Sequence, residues 1–306
     1  MVSFNSVQKF KEFCKVEYLS TTSKFRRWLN NPFKYTFLQL HRRLLYPRIA
    51  GQVNMKTRTF WGAPITVPLP AGADIYLTGG KTHSSERRLT KYLLLHLTTS
   101  AQVIDIGAHI GFYSMLAAEI ASNGKVFAIE PASGSFKLLR KNVAPLDNCV
   151  PLNIAISEAS KPVRFYEYDV LHSEYNTLED EQFQNEEWHV ASNVNSKLIQ
   201  SASLDDFCEE NRIKPDFIKI DVEGGELKVL EGGRNILSRH NSTIVIEFVC
   251  AARKNINHIK AEKLLISLGY SSFVINELGE LATVVDVERY LQNSKLESDN
   301  IVFKKV

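Results

Sequence analysis

The sequence has few cysteines, and they stand far apart from one another. The four cysteines among the 306 residues are Cys14, Cys149, Cys208 and Cys250, and no two of them form a C-x-x-C pair. Structural zinc sites and disulfide-stabilised secreted domains need more closely spaced cysteines. The sequence therefore favours isolated, reduced thiols over either class of site.

Long apolar runs are absent as well. No eighteen consecutive residues are apolar, so the sequence predicts no transmembrane helix. The N terminus also lacks the short apolar core and small-residue cleavage site of a secretory signal peptide. We therefore expect a cytoplasmic protein, and we expect no nucleic-acid partner.

Acidic residues are scarce at the start of the chain. Residues 1–60 contain twelve lysines and arginines against only Glu12 and Glu17, a net charge of +10. The remaining residues contain 25 basic and 32 acidic groups, a net charge of −7, so that the whole chain has a net charge of +3. Such an asymmetry gives information about partners and surfaces rather than about the fold.

A basic, amphipathic N-terminal extension is predicted over residues 1–50. Asn31-Pro32 indicates the start of a helix, because proline suits the first helical position. The apolar residues that share one face of this helix are Phe33, Phe37, Leu40 and Leu44. Two interpretations stay open: the extension packs on the domain that follows it, or it contacts an acidic partner or an anionic membrane, peripherally and at the inner face.

Two further segments follow the extension. Residues 51–83 are rich in glycine, proline and β-forming residues, which predicts a β-rich lid or connecting segment. Residues 84–306 are predicted to form the main domain, and within it residues 158–202 interrupt the regular pattern as a substrate-side insertion. The insertion has aromatic residues suited to a glycan or polyketide surface, although a simple β-hairpin flap stays an alternative. These residues, with one histidine, are Tyr166, Tyr168, His172, Tyr175 and Trp188.

Apolar strands and amphipathic helices alternate through the main domain. The predicted strands are Val103–Ile106, Val126–Ile129, Cys149–Ile154, Phe217–Ile220, Thr243–Phe248, a segment near 271–275, and Ile301–Phe303. Ser203-Leu204-Asp205-Asp206 resembles a capping box that opens a helix, and another helix is predicted near 257–268. This alternation predicts an α/β fold with a mostly parallel sheet and helices on both faces.

The first strand of the alternation ends in a turn that is typical of a nucleotide site. Asp105 is followed by Gly107 and Gly111, and glycines lack the Cβ atom that would keep a ligand away from the backbone. Glu130 lies 25 residues after Asp105, at the end of the second strand. A carboxylate at that place accepts hydrogen bonds from both hydroxyls of a ribose.

Two classes of cofactor share this arrangement. A dinucleotide site has G-x-G-x-x-G spacing, which admits a pyrophosphate to a helix N terminus. The spacing here is G-x-x-x-G, and the preceding Asp105 would repel a pyrophosphate but suits the ammonium of an amino-acid tail. S-adenosylmethionine has that ammonium, a ribose and no phosphate. We therefore predict S-adenosylmethionine as the cofactor, and a nicotinamide-dependent oxidoreductase is the less favoured alternative.

Several segments of the chain resemble the FkbM family of methyltransferases. They are Val103–Ser114, Glu130-Pro131, Asn153–Ser157, Ser203–Phe207 and Ile218–Glu226, and Lys-Ile-Asp-Val-Glu-Gly is the most specific part. The resemblance covers about residues 84–250. It implies that residues 84–306 form an S-adenosylmethionine-binding domain with the class I methyltransferase, Rossmann-like fold, whose seven-stranded sheet has an antiparallel last strand. It also implies O-methylation of a hydroxyl on a sugar, glycan or polyketide-like acceptor.

The matched motifs imply a set of cofactor-binding residues. They are Asp105, Gly107, Ala108, His109, Gly111, Ser114, Glu130, Pro131 and Ala155. His109 departs from the family's pattern, which usually has asparagine after Gly-Ala. Because that position lies beside the donor, we expect ligand geometry or pH response to differ in this protein.

A hydroxyl nucleophile benefits from a general base, and the candidates follow the sheet strands. Asp221 and Glu223 lie directly after the fourth strand, where a carboxylate needs water, a partner or a ligand. His109 is a third candidate, ranked below Asp221 because a lone loop histidine is more often a plain hydrogen-bonding residue. Glu226 is interpreted as a charge that suits the start of a helix.

Asp221 and Glu247 also lie where some catechol-type methyltransferases hold Mg²⁺, which prefers oxygen ligands. The pattern does not predict a metal site, although Mg²⁺ stays an open alternative. The remaining functional alternative is a catalytically silent binding or membrane-associated scaffold protein with the same fold.

Overall fold

The chain forms two compact units in the computed structural model, Met1–His96 and Leu97–Val306. The structure describes residues 4–45, 53–167, 195–253 and 256–305. Within these ranges no helix has both the length and the apolar character needed to cross a membrane. The helix Ser84–His96, which the sequence pattern grouped with the main domain, belongs to the first unit.

The first unit combines helices with a β-hairpin. Its elements are α1 (Phe4–Thr21), α2 (Lys24–Asn30), α3 (Pro32–Leu40), a π-helical turn (His41–Leu45), β1 (Val53–Arg58), β2 (Pro64–Leu69), α4 (Ala73–Thr78) and α5 (Ser84–His96). The helix α5 is held on α1 by an ion pair of 2.7 Å between Lys91 Nζ and Glu17 Oε1. The composition of residues 51–83 predicted strands, and it did not predict the short helix α4.

The helix α3 begins at the predicted residue. The side chain of Asn31 accepts a hydrogen bond from the backbone N–H of Lys34 at 3.1 Å, and Pro32 is the first helical residue. The face that packs within the unit carries the buried Leu38, whereas Phe33 and Leu40 are exposed. The side chain of Leu44 lies outside the described part of the chain.

The second unit contains the predicted alternation. Its helices are α6 (Phe112–Ile120), α7 (Ser133–Val143), α8 (Leu204–Glu210), α9 (Glu226–Glu231), α10 (Arg234–Arg239), α11 (Ile256–Ser267) and α12 (Val287–Ser294). Its strands are β3 (Gln102–Ile106), β4 (Lys125–Ile129), β5 (Cys149–Leu152), β6 (Ala155–Ser157), β7 (Val163–Glu167), β8 (Asn195–Ile199), β9 (Ser201–Ser203), β10 (Phe217–Ile220), β11 (Thr243–Val249), β12 (Tyr270–Ile275), β13 (Leu281–Thr283) and β14 (Ser298–Lys305). The predicted cap is confirmed, because Ser203 Oγ accepts from the N–H of Asp206 at 3.0 Å.

A mixed sheet of eight strands forms the centre of the second unit. The strand order is β13-β12-β14-β11-β10-β3-β4-β5, and the five strands from β11 to β5 are parallel. The last strand, β14, lies antiparallel between β11 and β12. This confirms the predicted α/β fold with its antiparallel last strand; the short β13 adds an eighth strand because it folds back on β12 as a hairpin.

The insertion at 158–202 is described at its two ends. The strands β7 and β8 pair antiparallel, from Val163 opposite Ile199 to Glu167 opposite Asn195. A second small pairing joins β6 and β9 in parallel. Of the aromatic and histidine residues predicted to face a substrate, Tyr166 lies in β7; the others, Tyr168, His172, Tyr175 and Trp188, lie outside the described residues.

Candidate active site

The strand order reverses between β3 and β10, which are hydrogen-bonded neighbours. The chain runs outward from β3 to β4 and β5, then returns to the other side of β3 with β10 and β11. Asp105 of β3 and Lys219 of β10 are register partners, so that their backbones lie side by side. In open parallel sheets, ligands bind beyond the carboxyl ends of the strands at such a reversal point. The predicted site residues follow these strand ends.

Gly107 makes the loop after β3 possible. Its backbone has a φ of +81°, and a Cβ atom added at this residue would lie 1.8 Å from the backbone oxygen of Asp221. The N–H groups of Gly107 and Ala108 both donate to the carbonyl oxygen of Ile129 at 3.0 Å. Only glycine allows the loop after β3 to lie this close to the loop after β10.

His109 occupies a left-handed backbone position, with a φ of +50°. Asparagine and histidine are among the few residues other than glycine that adopt this conformation at low cost. The departure from the family's usual asparagine therefore preserves the backbone. The N–H of His109 donates to Glu130 Oε2 at 2.8 Å. This bond connects the loop after β3, which we call the glycine loop, with the end of β4.

Glu130 is buried at the junction of two loops. Its Oε1 accepts from the N–H of Ala132 at 2.8 Å, in addition to the bond that Oε2 accepts from His109. Burial raises the pKa of Glu130 to about 7, against the lowering effect of these two backbone donors. Asn153 Nδ2 donates to the carbonyl oxygens of Glu130 and Pro131 at 2.8 and 3.1 Å, and so holds the same loop from β5.

Asp105 is held by Ser114 and faces Lys219. Ser114, which is fully buried in α6, donates from its Oγ to Asp105 Oδ2 at 2.6 Å. Asp105 Oδ1 lies 3.9 Å from Lys219 Nζ and has no hydrogen-bond partner among the described residues. Burial raises the pKa of Asp105, and the Lys219 ammonium and the Ser114 hydroxyl oppose this rise.

Lys219 is the site residue that sequence reasoning missed. Its side chain is only 6% exposed, and its Nζ lies 2.8 Å from Asp221 Oδ2. The same ammonium lies 5.5 Å from the centre of the Tyr113 ring. The one signal in the sequence is a lysine in the middle of an otherwise apolar strand, since lysine is almost never fully buried unless it is paired. Lys219 thus connects Asp105 with Asp221.

Three carboxylates lie close together after β10 and in β11, and one of them is Asp221, the ion-pair partner of Lys219. One ligand atom from each of Asp221, Glu223 and Glu247 lies within 4.8 Å of the others, and we refer to these residues as the three-acid cluster. Desolvation raises the pKa of Glu223 well above its usual range, and the neighbouring charges of Glu247 and Asp221 raise it further. The crowding of three carboxylates therefore favours the protonated form of Glu223 relative to an isolated glutamate.

Glu226 is the first residue of α9, as the interpretation of a helix-start charge requires, but it is buried rather than solvated. Its Oε1 accepts from the N–H groups of Val222 and Gly224, each at 3.2 Å. Its Oε2 lies 3.4 Å from Nε2 of the buried His258. Glu226 therefore shapes the loop that carries Asp221 and Glu223.

The remaining predicted residues have defined places. Gly111 has a φ of +88° directly before α6, and a Cβ there would lie 2.6 Å from Leu139 Cδ1. Ala155 is buried in β6, where its N–H donates to the carbonyl oxygen of Gln200 at 3.0 Å. For all of the predicted cofactor-binding residues, direct contact with a cofactor stays a prediction.

The insertion is anchored beside the end of β4. Glu167 Oε1 of β7 accepts from the N–H of Ser133 at 3.0 Å and from Lys197 Nζ of β8 at 2.9 Å. Lys197 Nζ also donates to Ser133 Oγ at 2.7 Å. Because Ser133 begins α7 three residues after Glu130, these bonds bring the hairpin of the insertion to the edge of the candidate site.

A family model for the methyltransferase FkbM domain matches residues 105–292 of the chain, from Asp105 in β3 to Gln292 in α12. The chain belongs to the FkbM methyltransferase family. This match confirms the resemblance carried by the Lys-Ile-Asp-Val-Glu-Gly segment and the glycine loop, and it includes the candidate site described above.

Of two relatives of this FkbM-family chain, one is named as a hexuronic acid methyltransferase and the other as a 2-O-methyltransferase. The chain is 29% identical over 163 residues to the hexuronic acid methyltransferase AglP of Haloferax volcanii, which is 52% of this chain and 61% of that protein. It is 24% identical over 150 residues to the 2-O-methyltransferase NoeI of Sinorhizobium fredii, 45% of this chain and 59% of that protein. The matches thus span about three-fifths of each relative's length.

The similarity to solved structures is more distant. The methyltransferase FkbM from Methylobacillus flagellatus is 16% identical, with a TM-score of 0.44 and coverage of 76% of this chain and 52% of that one. The O-methyltransferase from Bacillus cereus is 13% identical, with a TM-score of 0.42 and coverage of 77% and 86%.

Proposed function

We propose that this protein transfers a methyl group from S-adenosylmethionine to a hydroxyl group of a sugar or glycan. The observation that carries the proposal is the series Asp105–Lys219–Asp221 at the strand-order reversal, in which Asp105 and Lys219 are buried, with Glu130 at the next strand end. Membership of the FkbM family supports methyl transfer. The name of one relative, a hexuronic acid methyltransferase, supports a sugar-type acceptor, and the name of the other, a 2-O-methyltransferase, supports transfer to oxygen.

The residues present fit this methyl donor. Asp105 Oδ1 is a buried acceptor with no hydrogen-bond partner among the described residues. The ammonium group of S-adenosylmethionine would donate a hydrogen bond to it. Glu130 presents a second carboxylate at the neighbouring strand end, where it accepts from ribose hydroxyls. Gly107 leaves the space that a side chain would fill. When bound, S-adenosylmethionine supplies an electrophilic methyl group on a sulfonium.

The charges of the site favour a cationic donor over a dinucleotide. S-adenosylmethionine carries a sulfonium, an ammonium and one carboxylate, a net charge of about +1 at neutral pH. The site has more carboxylates than cations, since Lys219 is the cation that lies between Asp105 and Asp221. A pyrophosphate near Asp105 and Glu130 would meet like charges, which raises the free energy of its binding.

Asp221 is the proposed general base. Lys219 Nζ, at 2.8 Å from Asp221 Oδ2, stabilises the negative charge that a base needs before it accepts the acceptor's hydroxyl proton. Glu223 is less suited to begin the reaction as a base, because its raised pKa favours its protonated form relative to an ordinary glutamate. Holding donor and acceptor in line contributes a further ~7–11 kcal/mol to lowering the barrier.

The first test uses Asp221→Asn, which keeps the shape of the side chain but removes its basic oxygen. We expect the rate of S-adenosylhomocysteine formation with glycosides of hexuronic acids and hexoses to fall about 10²–10⁴-fold. Donor affinity, measured by calorimetry, should change by less than about threefold, because Asp105 and Glu130 carry donor binding. The exposed Asp147→Asn is the matched control and should keep the wild-type rate.

Wild-type turnover in Asp221→Asn would move the role of base to Glu223 or His109. Calorimetric binding of NAD in preference to S-adenosylmethionine would favour the oxidoreductase alternative instead. Donor binding without turnover on any offered hydroxyl would favour a silent scaffold. Loss of turnover on chelation, restored by Mg²⁺, would mean that the three-acid cluster uses a cation.

A further inference from the structure

The helices α2 and α3 expose large apolar side chains. These side chains and their exposed fractions are Phe25 66%, Trp28 38%, Leu29 57%, Phe33 87% and Leu40 51%. Scattered exposed apolar residues are ordinary on soluble proteins, whereas a continuous patch marks a contact with a protein or a membrane. The question is therefore whether these residues adjoin one another.

Contacts between the two helices join the exposed residues into one surface. The rings of Phe25 and Trp28 stack with centres 6.0 Å apart. Trp28 Nε1 donates to Thr36 Oγ1 at 3.3 Å, which connects α2 with α3. Phe33 and Leu40 lie three residues before and four residues after Thr36, on the same face of α3. We call this surface, Phe25, Trp28, Phe33, Thr36 and Leu40, the outer face.

The opposite side of α3 is fixed within the first unit. Lys34 Nζ donates to Thr57 Oγ1 at 2.6 Å and to the carbonyl oxygen of Tyr76 at 3.0 Å. Leu38 and His41 are 2% and 1% exposed. The helix is therefore held by its inner side, and the fold of the first unit does not require the apolar residues of the outer face.

The helical segments that carry and follow the outer face are basic. Lys24 and Arg26 of α2 are exposed, as are Arg42 and Arg43 of the π-helical turn after α3. Residues 1–60 have a net charge of +10, with Glu12 and Glu17 as their only acids, and Glu17 is paired with Lys91. A second copy of the chain on this surface would bring two such charges together, which opposes association. An anionic surface complements both the charge and the aromatic residues.

We propose that the outer face docks on an anionic lipid bilayer. Trp and Phe side chains insert at the boundary between headgroups and acyl chains, while surrounding lysines and arginines attract anionic headgroups. Phe33, at the start of α3, is the most deeply inserting residue by its exposure. Such a surface keeps the protein peripheral, consistent with the absence of a membrane-crossing helix among the described residues.

The test measures binding of the full chain to vesicles of phosphatidylcholine with about 30% phosphatidylserine, by co-sedimentation at low and high salt. We expect binding to these vesicles, little binding to pure phosphatidylcholine, and weakening as salt shortens the Debye length. The variant Lys24→Gln/Arg42→Gln/Arg43→Gln should bind on the order of 100-fold more weakly, about fivefold for each cation. Arg26 and Arg27 are kept because they donate to Tyr18 and to backbone carbonyls of α1 and the turn after it.

A second variant separates insertion from charge attraction. Phe25→Ser/Phe33→Ser keeps every charge and should weaken binding at least about tenfold, with residual binding now fully lost at high salt. The matched controls lie on the second unit: Arg239→Gln/Lys260→Gln/Lys263→Gln removes three exposed cations, and Leu278→Ser/Val285→Ser removes two exposed apolar side chains. Both controls should stay within about twofold of the wild type.

Three outcomes would overturn the proposal. The first is a wild-type chain that stays in the supernatant with both vesicle types. The second is an equal loss of binding in the charge variant and its control, which would mean nonspecific attraction without a docking surface. The third is a dimer seen by light scattering that Phe25→Ser/Phe33→Ser converts to a monomer, which would assign the outer face to a second copy.

Discussion

The two groups of carboxylates on either side of Lys219 differ in how they are stabilised. Asp105 and Glu130 are buried, and Ser114, His109 and Ala132 donate hydrogen bonds to them. The three-acid cluster is only partly buried; desolvation raises the pKa of Glu223, and the charges of Glu247 and Asp221 raise it further. We therefore expect the first pair to hold a ligand in place and the second cluster to take part in proton transfer.

Gly107→Ala is the change that should disturb both groups most. A Cβ at this residue meets the Asp221 carbonyl oxygen, and alanine is strained at a φ of +81°. Strain and overpacking together should lower the free energy of unfolding by about 2–6 kcal/mol, measured by denaturant titration. Gly134→Ala, with nothing within 4 Å of the added atom in α7, is the control and should be neutral or stabilising. Equal stability of wild type and Gly107→Ala would mean that the two loops separate readily.

Lys219→Met tests whether one cation stabilises both groups. The substitution leaves Asp105 and Asp221 without their shared ammonium, and we expect a loss of about 2–3 kcal/mol of unfolding free energy near pH 8. The pKa of Asp105 is already raised by burial and rises further without Lys219. The loss should therefore be present above the folded-state pKa and diminish as pH falls through it, because the protonated acid needs no cation.

The control for this experiment is Lys214→Met, which removes an exposed lysine three residues before β10. It should change the unfolding free energy by less than about 0.5 kcal/mol at either pH. A deficit in Lys219→Met that stays constant from pH 8 down to the onset of acid unfolding would contradict the role of Lys219 as the counter-charge, and would indicate a packing defect instead.

The smallest expected effect concerns Glu130 alone. Its pKa of about 7 predicts that ionised Glu130, the form that accepts from ribose hydroxyls, rises about tenfold in population between pH 6 and pH 8. Donor affinity measured by calorimetry should strengthen by a similar factor, with proton release near pH 6. Glu130→Gln should flatten the profile and weaken binding at pH 8. A wild-type profile in that variant would assign the titration to another group, such as His109.

The raised pKa of Glu130 makes the free energy of unfolding fall as pH rises, whereas donor affinity strengthens. The folded-state pKa of Glu130 is raised above its ordinary value of 4.5, so the folded protein binds more protons between pH 4.5 and 7. The contribution of this group to stability is fully present below pH 4.5 and is lost as pH rises through about 7. Donor binding and stability should therefore respond to pH in opposite directions at this one residue.

Much of the second unit follows from local patterns. The strand Phe217–Ile220 has the predicted bounds, and β3 and β4 each begin one residue earlier than predicted. Period-two and period-3.6 spacing of apolar residues is a local property of the chain, and buried parallel strands are short and uniformly apolar. The strand predicted at Cys149–Ile154 ends at Leu152 in the structure, because Ala155–Ser157 pairs with β9 outside the main sheet.

Other features depend on contacts between distant segments. The outer face and the inner side of α3 both carry apolar residues, so periodicity alone does not predict which side packs on the first unit. The hydrogen bonds of Lys34 to Thr57 and Tyr76 determine that the inner side packs. Helix α5 joined the first unit through Lys91 and Glu17, which are 74 residues apart in sequence. No local spacing contains that information.

The sequence by itself determined the family, the alternation of strands and helices, and the acids that follow the strands. Each of these depends on residues that are close together in the chain. Only the tertiary structure decided that Lys219 lies between Asp105 and Asp221. That placement requires β10 to pair with β3 in the register that sets Lys219 opposite Asp105. The free energy of a buried charge depends on the groups around it, and those groups come from strands more than one hundred residues apart.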